Sequence, residues 1–311
     1  MIFNIDPGKA RKSVNFIDNI VYSHVKDLDG RPLDLTLALM TQNGNVERRL
    51  AMGEDIEEIP RLPLLVWFNG VGWRATEDLK TMMAAELEYL AEAGYIVALI
   101  HYRSSSQGKF PSQLIDCKTA VRFLRANADK YAINPERVGV IGRSAGGMLA
   151  AWMAMNTDGF DLGEWSDQSS KIQAAVDMFG LKDIKDFLRK DMIKIKQPGY
   201  RWKTISDTHE GLLLNLKSDM SVEEMENRAS AASPISAVNS NMCPLTILHG
   251  TADTVVPVES SIAYYEALCK AGLENRVNLY LVKNAGHGTP EFFQPMTQKI
   301  IIDFFDRYLK Q

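Results

Sequence analysis

The sequence predicts an α/β fold: a mostly parallel central sheet, helices on both faces, antiparallel N-terminal strands and an inserted helical cap. Three observations carry this. From Pro60 onward, near-continuous apolar runs alternate with helical stretches, the pattern of parallel strands covered on both sides. The first sixty residues instead show alternating runs broken by a turn signal. Residues 181–238 contain no buried-strand pattern and are too long for a plain loop, so they should carry their own helices as a cap or lid. The 311 residues fit one domain over 1–311, with 181–238 inserted within it.

The elements follow in order. Residues 19–25 and 33–39 flank Asp27-Leu28-Asp29-Gly30 and read as an antiparallel pair. Leu33, Leu35, Leu37 and Leu39 share one face, which predicts a solvated opposite face. Residues 64–68 lead to a helix over about 77–93, and residues 96–100 to a helix over about 113–131. Asn134-Pro135 reads as a turn before a strand at 137–141. Further strands are predicted at 174–179, 245–249 and 277–282, and a closing helix at about 291–309.

Composition narrows the function classes. Apolar residues make up 46% and charged residues 24%, as in ordinary globular chains. A net charge of −4 gives no support for a nucleic-acid partner, and the basic groups Arg189-Lys190 and Lys194-Ile195-Lys196 have acidic neighbours. No apolar run approaches the roughly 20 residues of a membrane span. Cys117, Cys243 and Cys269 form no CxxC motif, and residues 1–8 lack the pattern of a secretory signal. A cytoplasmic setting is therefore expected. No histidine pair has HExxH-type spacing, so neither a metal nor a cofactor is predicted. The expected partner is a small molecule; the sequence leaves room for a homo-oligomer without giving the oligomeric state.

Chemistry enters at Gly142-Arg143-Ser144-Ala145-Gly146, between an apolar strand and a helical run. A Gly-flanked turn there would push a Ser hydroxyl out of the sheet, beside a helix start that favours negative charge. The five-residue pattern alone is weak, since on the order of 0.1 chance matches are expected in a chain this long. A Ser nucleophile also needs a base, and the base needs a partner to hold its tautomer. Asp253 falls just past the predicted 245–249 strand, and His287 lies in the Gly-flanked loop past the 277–282 strand. The order Ser144, Asp253, His287 is that of α/β-hydrolases.

At these residues the chain resembles the α/β-hydrolase superfamily, and within it the hormone-sensitive-lipase-like and bacterial acetyl-xylan and feruloyl esterase-like group. The resemblance rests on Tyr102-Arg103 with Phe110 to Asp116, on Asn134 to Val138, on His249 to Asp253, and on Gly286-His287-Gly288. It implies an α/β-hydrolase fold and a serine carboxylesterase. The group usually carries His-Gly-Gly-Gly plus an aromatic after its third strand; here the segment is Asn69-Gly70-Val71-Gly72-Trp73. By analogy, the amides of Val71, Gly72 and Ala145 form the oxyanion hole, with a one-residue slide to Trp73 as the alternative register. Asn69 removes a ring that usually braces this loop.

Four residues are assigned to the substrate pocket: Trp73, which follows the oxyanion loop, Phe179 at a strand end, Trp202 in the cap, and Arg143 beside the nucleophile. For Arg143 a local ion pair or hydrogen bond is the commoner fate. Trp152 reads as core and His249 as structural, while His24, His101 and His209 lack a partner motif. The triad motifs point to hydrolysis of small esters through an acyl-enzyme, and the resemblance implies a short acyl group, acetyl foremost, on a sugar or other polar alcohol. An amidase or formamidase is the second reading, and an inactive ligand-binding member of the fold the third.

Overall fold

In a computed structural model, residues 13–44, 46–74 and 80–311 are described. The start of the helix predicted over 77–93 and residues 1–8 therefore lie partly or wholly outside the described residues. The chain forms an eight-stranded sheet: β1 (Asn15–Lys26), β2 (Pro32–Thr41), β3 (Leu62–Phe68), β4 (Ile96–Ile100), β5 (Ile133–Arg143), β6 (Ala174–Met178), β7 (Leu245–Gly250) and β8 (Val277–Val282). Their spatial order is β1-β2-β4-β3-β5-β6-β7-β8. β1 pairs antiparallel with β2, and β2 with β4; every later pairing is parallel. This is the α/β-hydrolase fold.

Buried residues explain the layering. Helices α2 (Ala84–Glu92) and α10 (Pro295–Leu309) cover one face, with Leu87, Leu90, Ile301 and Phe305 packed against Leu65, Trp67, Val97 and Ile141. Helices α3 (Ser112–Ala126), α5 (Ala145–Ala154) and α9 (Val258–Lys270) cover the other, placing Leu114, Met148 and Tyr264 against Leu64, Val66 and Val140. Trp152 belongs to that core, its indole donating to Ala232 O at 2.8 Å. The segment beginning Tyr102-Arg103 is fixed by a bidentate pair: Arg103 reaches both carboxylate oxygens of Asp116, at 2.7 and 3.0 Å.

Three expectations need correction. β2 does not have a solvated face: Thr36, Ala38 and Met40 are buried as well as Leu35, Leu37 and Leu39. The strand lies inside the sheet between β1 and β4, and α2 covers the face that alternation assigned to water. Asn134-Pro135 does not precede the strand but bends the chain within β5, where Asn134 Oδ1 accepts from Glu136 N at 3.1 Å and the register with β3 shifts between Leu62 and Leu64. The helix expected over 113–131 breaks at Asn127 into α3 and a short α4 (Ala128–Tyr131).

A short α1 (Val46–Ala51) precedes β3. Between β6 and β7 the chain builds α6 (Ile184–Lys194), α7 (His209–Leu214) and α8 (Val222–Ala232), and no strand. Ile184, Leu188, Leu213 and Met225 join the core from this segment. At its root lies a fully buried ion pair: Asp177 on β6 and Lys182 are 2.6 Å apart, both without solvent exposure. Asp177 Oδ1 also accepts from Gly180 N at 2.9 Å. No described helix is long and apolar enough to cross a membrane.

Candidate active site

Ser144 sits in the single step between β5 and α5, at φ 51° and ψ −121°. A non-glycine residue held at positive φ stores strain of about 1–3 kcal/mol and persists only where its surroundings enforce it. Here they do. Ser144 N donates to Met178 O at 2.8 Å, and the neighbouring backbones close in. A Cβ at position 142 would fall 2.2 Å from Gly146 O, and one at position 146 would fall 2.0 Å from Phe68 O. Only glycine fits at either place, so the turn stays tight enough to project the Ser144 hydroxyl above the strand ends at the start of α5.

The loops after β7 and β8 bring Asp253 and His287 to that hydroxyl. His287 Nε2 lies 2.8 Å from Ser144 Oγ, and His287 Nδ1 lies 2.7 Å from Asp253 Oδ2. The carboxylate faces Nδ1, which therefore carries the proton and leaves Nε2 to accept from the serine hydroxyl. Asp253 Oδ1 accepts from the Val255 and Val256 amides at 2.8 and 2.9 Å. A second imidazole backs the carboxylate: His249 Nε2 stands 3.4 Å from Asp253 Oδ2 while donating to Val256 O at 2.8 Å. Burial alone would raise the Asp253 carboxyl, but hydrogen bonds from His249, His287 and the Val256 amide hold it well below the usual carboxylate range.

The segment Asn69–Trp73 borders Ser144 on the other side. A Cβ on Gly70 would lie 2.8 Å from Ser144 Cβ and 1.9 Å from Arg143 O. Asn69 Oδ1 accepts from Gly70 N at 2.9 Å, and the Tyr102 hydroxyl donates to Asn69 O at 2.6 Å. Arg74 N donates to Val71 O at 3.1 Å across Gly72 and Trp73, whose φ values are 61° and 55°. Two successive left-handed residues make this a turn of the type I′ pattern. Val71 is not among the left-handed residues. With Gly70 N occupied, the Val71 and Gly72 amides are loop donors without an acceptor among the described residues.

A cleft of about 550 Å³ opens on these groups. Gly70 to Trp73, Ser144, Ala145 and His287 form its floor, and Thr254 to Val256 one side. The segment between β6 and β7 supplies the rest, with Leu181 and Phe187 apolar and Asp191, Lys194, Tyr200, Arg201, His209 and Glu210 polar. Trp73 borders the cleft as expected, although its side chain is almost wholly buried. Three pocket assignments are corrected. Phe179, at φ 45°, turns into the core and packs edge-on against the His287 ring at 4.8 Å, backing that ring from behind. Trp202 packs against His209 at 5.4 Å and stands behind the cleft wall. Arg143 donates to Asn69 Oδ1 at 3.2 Å and so braces the Asn69–Trp73 turn rather than lining the cleft.

Sequence reasoning missed His209, Tyr200 and Glu210, because nothing in a helical segment without motifs says which side chains will face inward. It also missed the support that His249 gives to Asp253; the i, i+4 spacing across the strand end was the available signal. Burial pushes the Glu210 carboxyl up to about 7, with Asp191 adding to the rise. A carboxyl held above its unfolded value gives stability that is full at acid pH and lost as pH rises through about 7. Glu210→Gln should therefore gain stability over the wild type between pH 5 and pH 8, on the order of 1–3 kcal/mol. Parallel urea melts at the two pH values read this difference, and a pH-independent difference would refute the assignment.

Comparison with known proteins fits this geometry. Over its whole length the chain resembles a carbohydrate esterase from gut microbiota in truncated form, at 25% identity and a TM-score of 0.72, covering 98% of this chain and 99% of that one. The butyrate-bound esterase Est2 of Thermogutta terrifontis shares the fold at 24% identity and a TM-score of 0.66, covering 96% and 94%. Among curated relatives, the esterases LipC and LipQ of Mycobacterium tuberculosis are each 29% identical, over 234 and 232 residues. Each alignment covers 73% of this chain, but the chain spans only about half the length of these relatives, 53% and 50%. The family model BD-FAE matches residues 54–268, a span that takes in the Asn69–Trp73 turn, Ser144 and Asp253. The chain belongs to the BD-FAE family of the α/β-hydrolase superfamily.

Proposed function

We propose that the protein is a serine carboxylic-ester hydrolase acting on short-acyl esters, acetyl foremost, of sugars or oligosaccharides. One observation carries the reaction class: the unbroken relay from Asp253 through His287 to Ser144, at 2.7 and 2.8 Å, on a strained turn beside free amides. In this reading Ser144 Oγ attacks the acyl carbon while His287 Nε2 takes its proton. Asp253 steadies the resulting imidazolium. The Val71, Gly72 and Ala145 amides hold the oxyanion. His287 then protonates the departing alcohol. Water, deprotonated by the same imidazole, releases the acid and restores Ser144.

The substrate class rests on the cleft. Leu181, Phe187, Val255 and Val256 offer a small apolar surface to an acyl group. Asp191, Tyr200, Arg201 and Glu210 offer the mixed donors and acceptors that sugar hydroxyls need. The likeness to a carbohydrate esterase points the same way. Residues 181–238 serve as the cap that frames the alcohol side. Three free cysteines suit a reducing cytoplasm. Initial rates over p-nitrophenyl acetate, butyrate and octanoate, with acetylated xylo-oligosaccharides alongside, test the proposal. Acetyl esters should lead the series. A preference for octanoate would overturn the short-acyl assignment. Absence of both turnover and labelling by an aryl phosphonate would overturn the hydrolase reading itself.

A further inference from the structure

The turn at Gly72 and Trp73 holds two successive residues at positive φ. Gly72 tolerates φ 61°, but Trp73 at φ 55° is a bulky L-residue in a left-handed conformation. From the sheet side the turn is held by Tyr102 on Asn69 O and by Ser105 N on Trp73 O at 2.7 Å. On the opposite side, a Cβ at position 72 would fall 2.5 Å from His209 Nδ1 and 2.7 Å from its Cε1. The imidazole of a residue 137 positions along the chain thus lies directly on the Gly72 backbone.

That ring is itself firmly placed. His209 opens α7, whose N-cap Thr208 is fully buried and accepts from Gly211 N at 2.9 Å. The other end of α7 is tied to the body of the fold by Phe110 N on Leu213 O at 3.0 Å and Lys109 Nζ on Leu212 O at 2.8 Å. Behind the ring stands Trp202, nearly perpendicular at 85°, with the Arg201 and Arg74 guanidinium groups 4.7 and 5.2 Å from its indole centre. Arg74 is the last residue of the oxyanion turn, so turn and helical segment are clasped twice.

Resting on the esterase reading above, we infer that His209 is a positioning residue: its ring, pressed on Gly72, holds the Val71–Gly72 amides in the orientation that receives the oxyanion. The segment between β6 and β7 then does more than frame substrate, because the oxyanion hole is complete only while α7 is docked.

The test compares His209→Ala and His209→Phe with the wild type on p-nitrophenyl acetate, together with phosphonylation rates by an aryl phosphonate, whose transition state needs the same donors. His209→Ala should lower kcat about 10- to 100-fold, up to the loss of one oxyanion donor, and slow phosphonylation in proportion. KM should stay within about twofold, since ground-state binding does not use the hole. His209→Phe, which keeps a ring on Gly72, should restore most of kcat. Thermal melting keeps a folding defect from being read as catalysis: restored kcat in His209→Phe, at whatever melting temperature His209→Ala shows, supports the brace. Unchanged kcat in His209→Ala overturns it, as does a rise in KM alone shared by both variants, which would make His209 a substrate contact. A wild type that neither turns over ester nor accepts phosphonate would instead defeat the esterase reading.

Discussion

Ser144→Ala is expected to lower ester turnover by about 10⁶-fold in kcat, the loss seen when a triad nucleophile is removed alone. The reason is geometric. His287 Nε2 has a single oxygen at 2.8 Å from which to take a proton, and without it the relay from Asp253 ends on an imidazole with nothing to activate. The variant should nevertheless fold. Ser144 N still donates to Met178 O, and Gly142 and Gly146 still meet their carbonyl neighbours, because none of these contacts uses the hydroxyl. Turnover of p-nitrophenyl acetate measured beside a circular-dichroism melt separates the two effects. Substantial residual turnover in a folded Ser144→Ala protein would remove Ser144 from the mechanism.

The largest effect on stability is expected at Lys182. Its ammonium and the Asp177 carboxylate are 2.6 Å apart with no solvent at either, and burial holds the lysine below its ordinary value. Lys182→Met leaves a carboxylate stranded near the end of β6, supported among the described residues by the Gly180 amide alone. Breaking a buried pair from one side costs about 3–5 kcal/mol. Urea unfolding of Lys182→Met should show a loss of that size; a change below about 1 kcal/mol would mean that water reaches the site. Because Gly180 follows Phe179, which packs on the His287 ring, a second symptom is expected: the base loses its backing and kcat falls alongside stability.

Why some of this could be read from the residues, and some not, follows from what each signal measures. An apolar run of five or six residues with a polar group just beyond it marks both a parallel strand and the rim of its C-terminal end. Hence β3 to β8, Ser144, Asp253 and His287 were all visible. Side-chain direction was not. Phe179 and Trp202 are aromatics beside a cleft in the sequence, yet φ 45° sends one into the core, and the other is held edge-on behind His209. β2 misled because alternation reports the chemistry of a face and not what covers it: Met40 packs with Leu87 and Leu90 of α2, and the Thr36 hydroxyl accepts from the Lys80 ammonium. His209 and Glu210 were invisible because their meaning depends on contacts with Gly72 and Asp191 that the chain makes only once folded.

The placement of the helical segment between β6 and β7 has a consequence for how an esterase of the proposed kind can change. Every polar side chain on the alcohol wall of the cleft comes from one uninterrupted stretch of chain, whereas Ser144, Asp253 and His287 come from outside it. On the proposed reading, substrate choice is inheritable as a cassette: exchanging that stretch between relatives would transplant a preference without disturbing the reacting atoms. The seam of such a graft is not at the strand ends, where loops are easily rejoined, but at Gly72. A donor segment without a ring to lay on that glycine would carry its specificity into a catalyst that has lost its grip on the oxyanion.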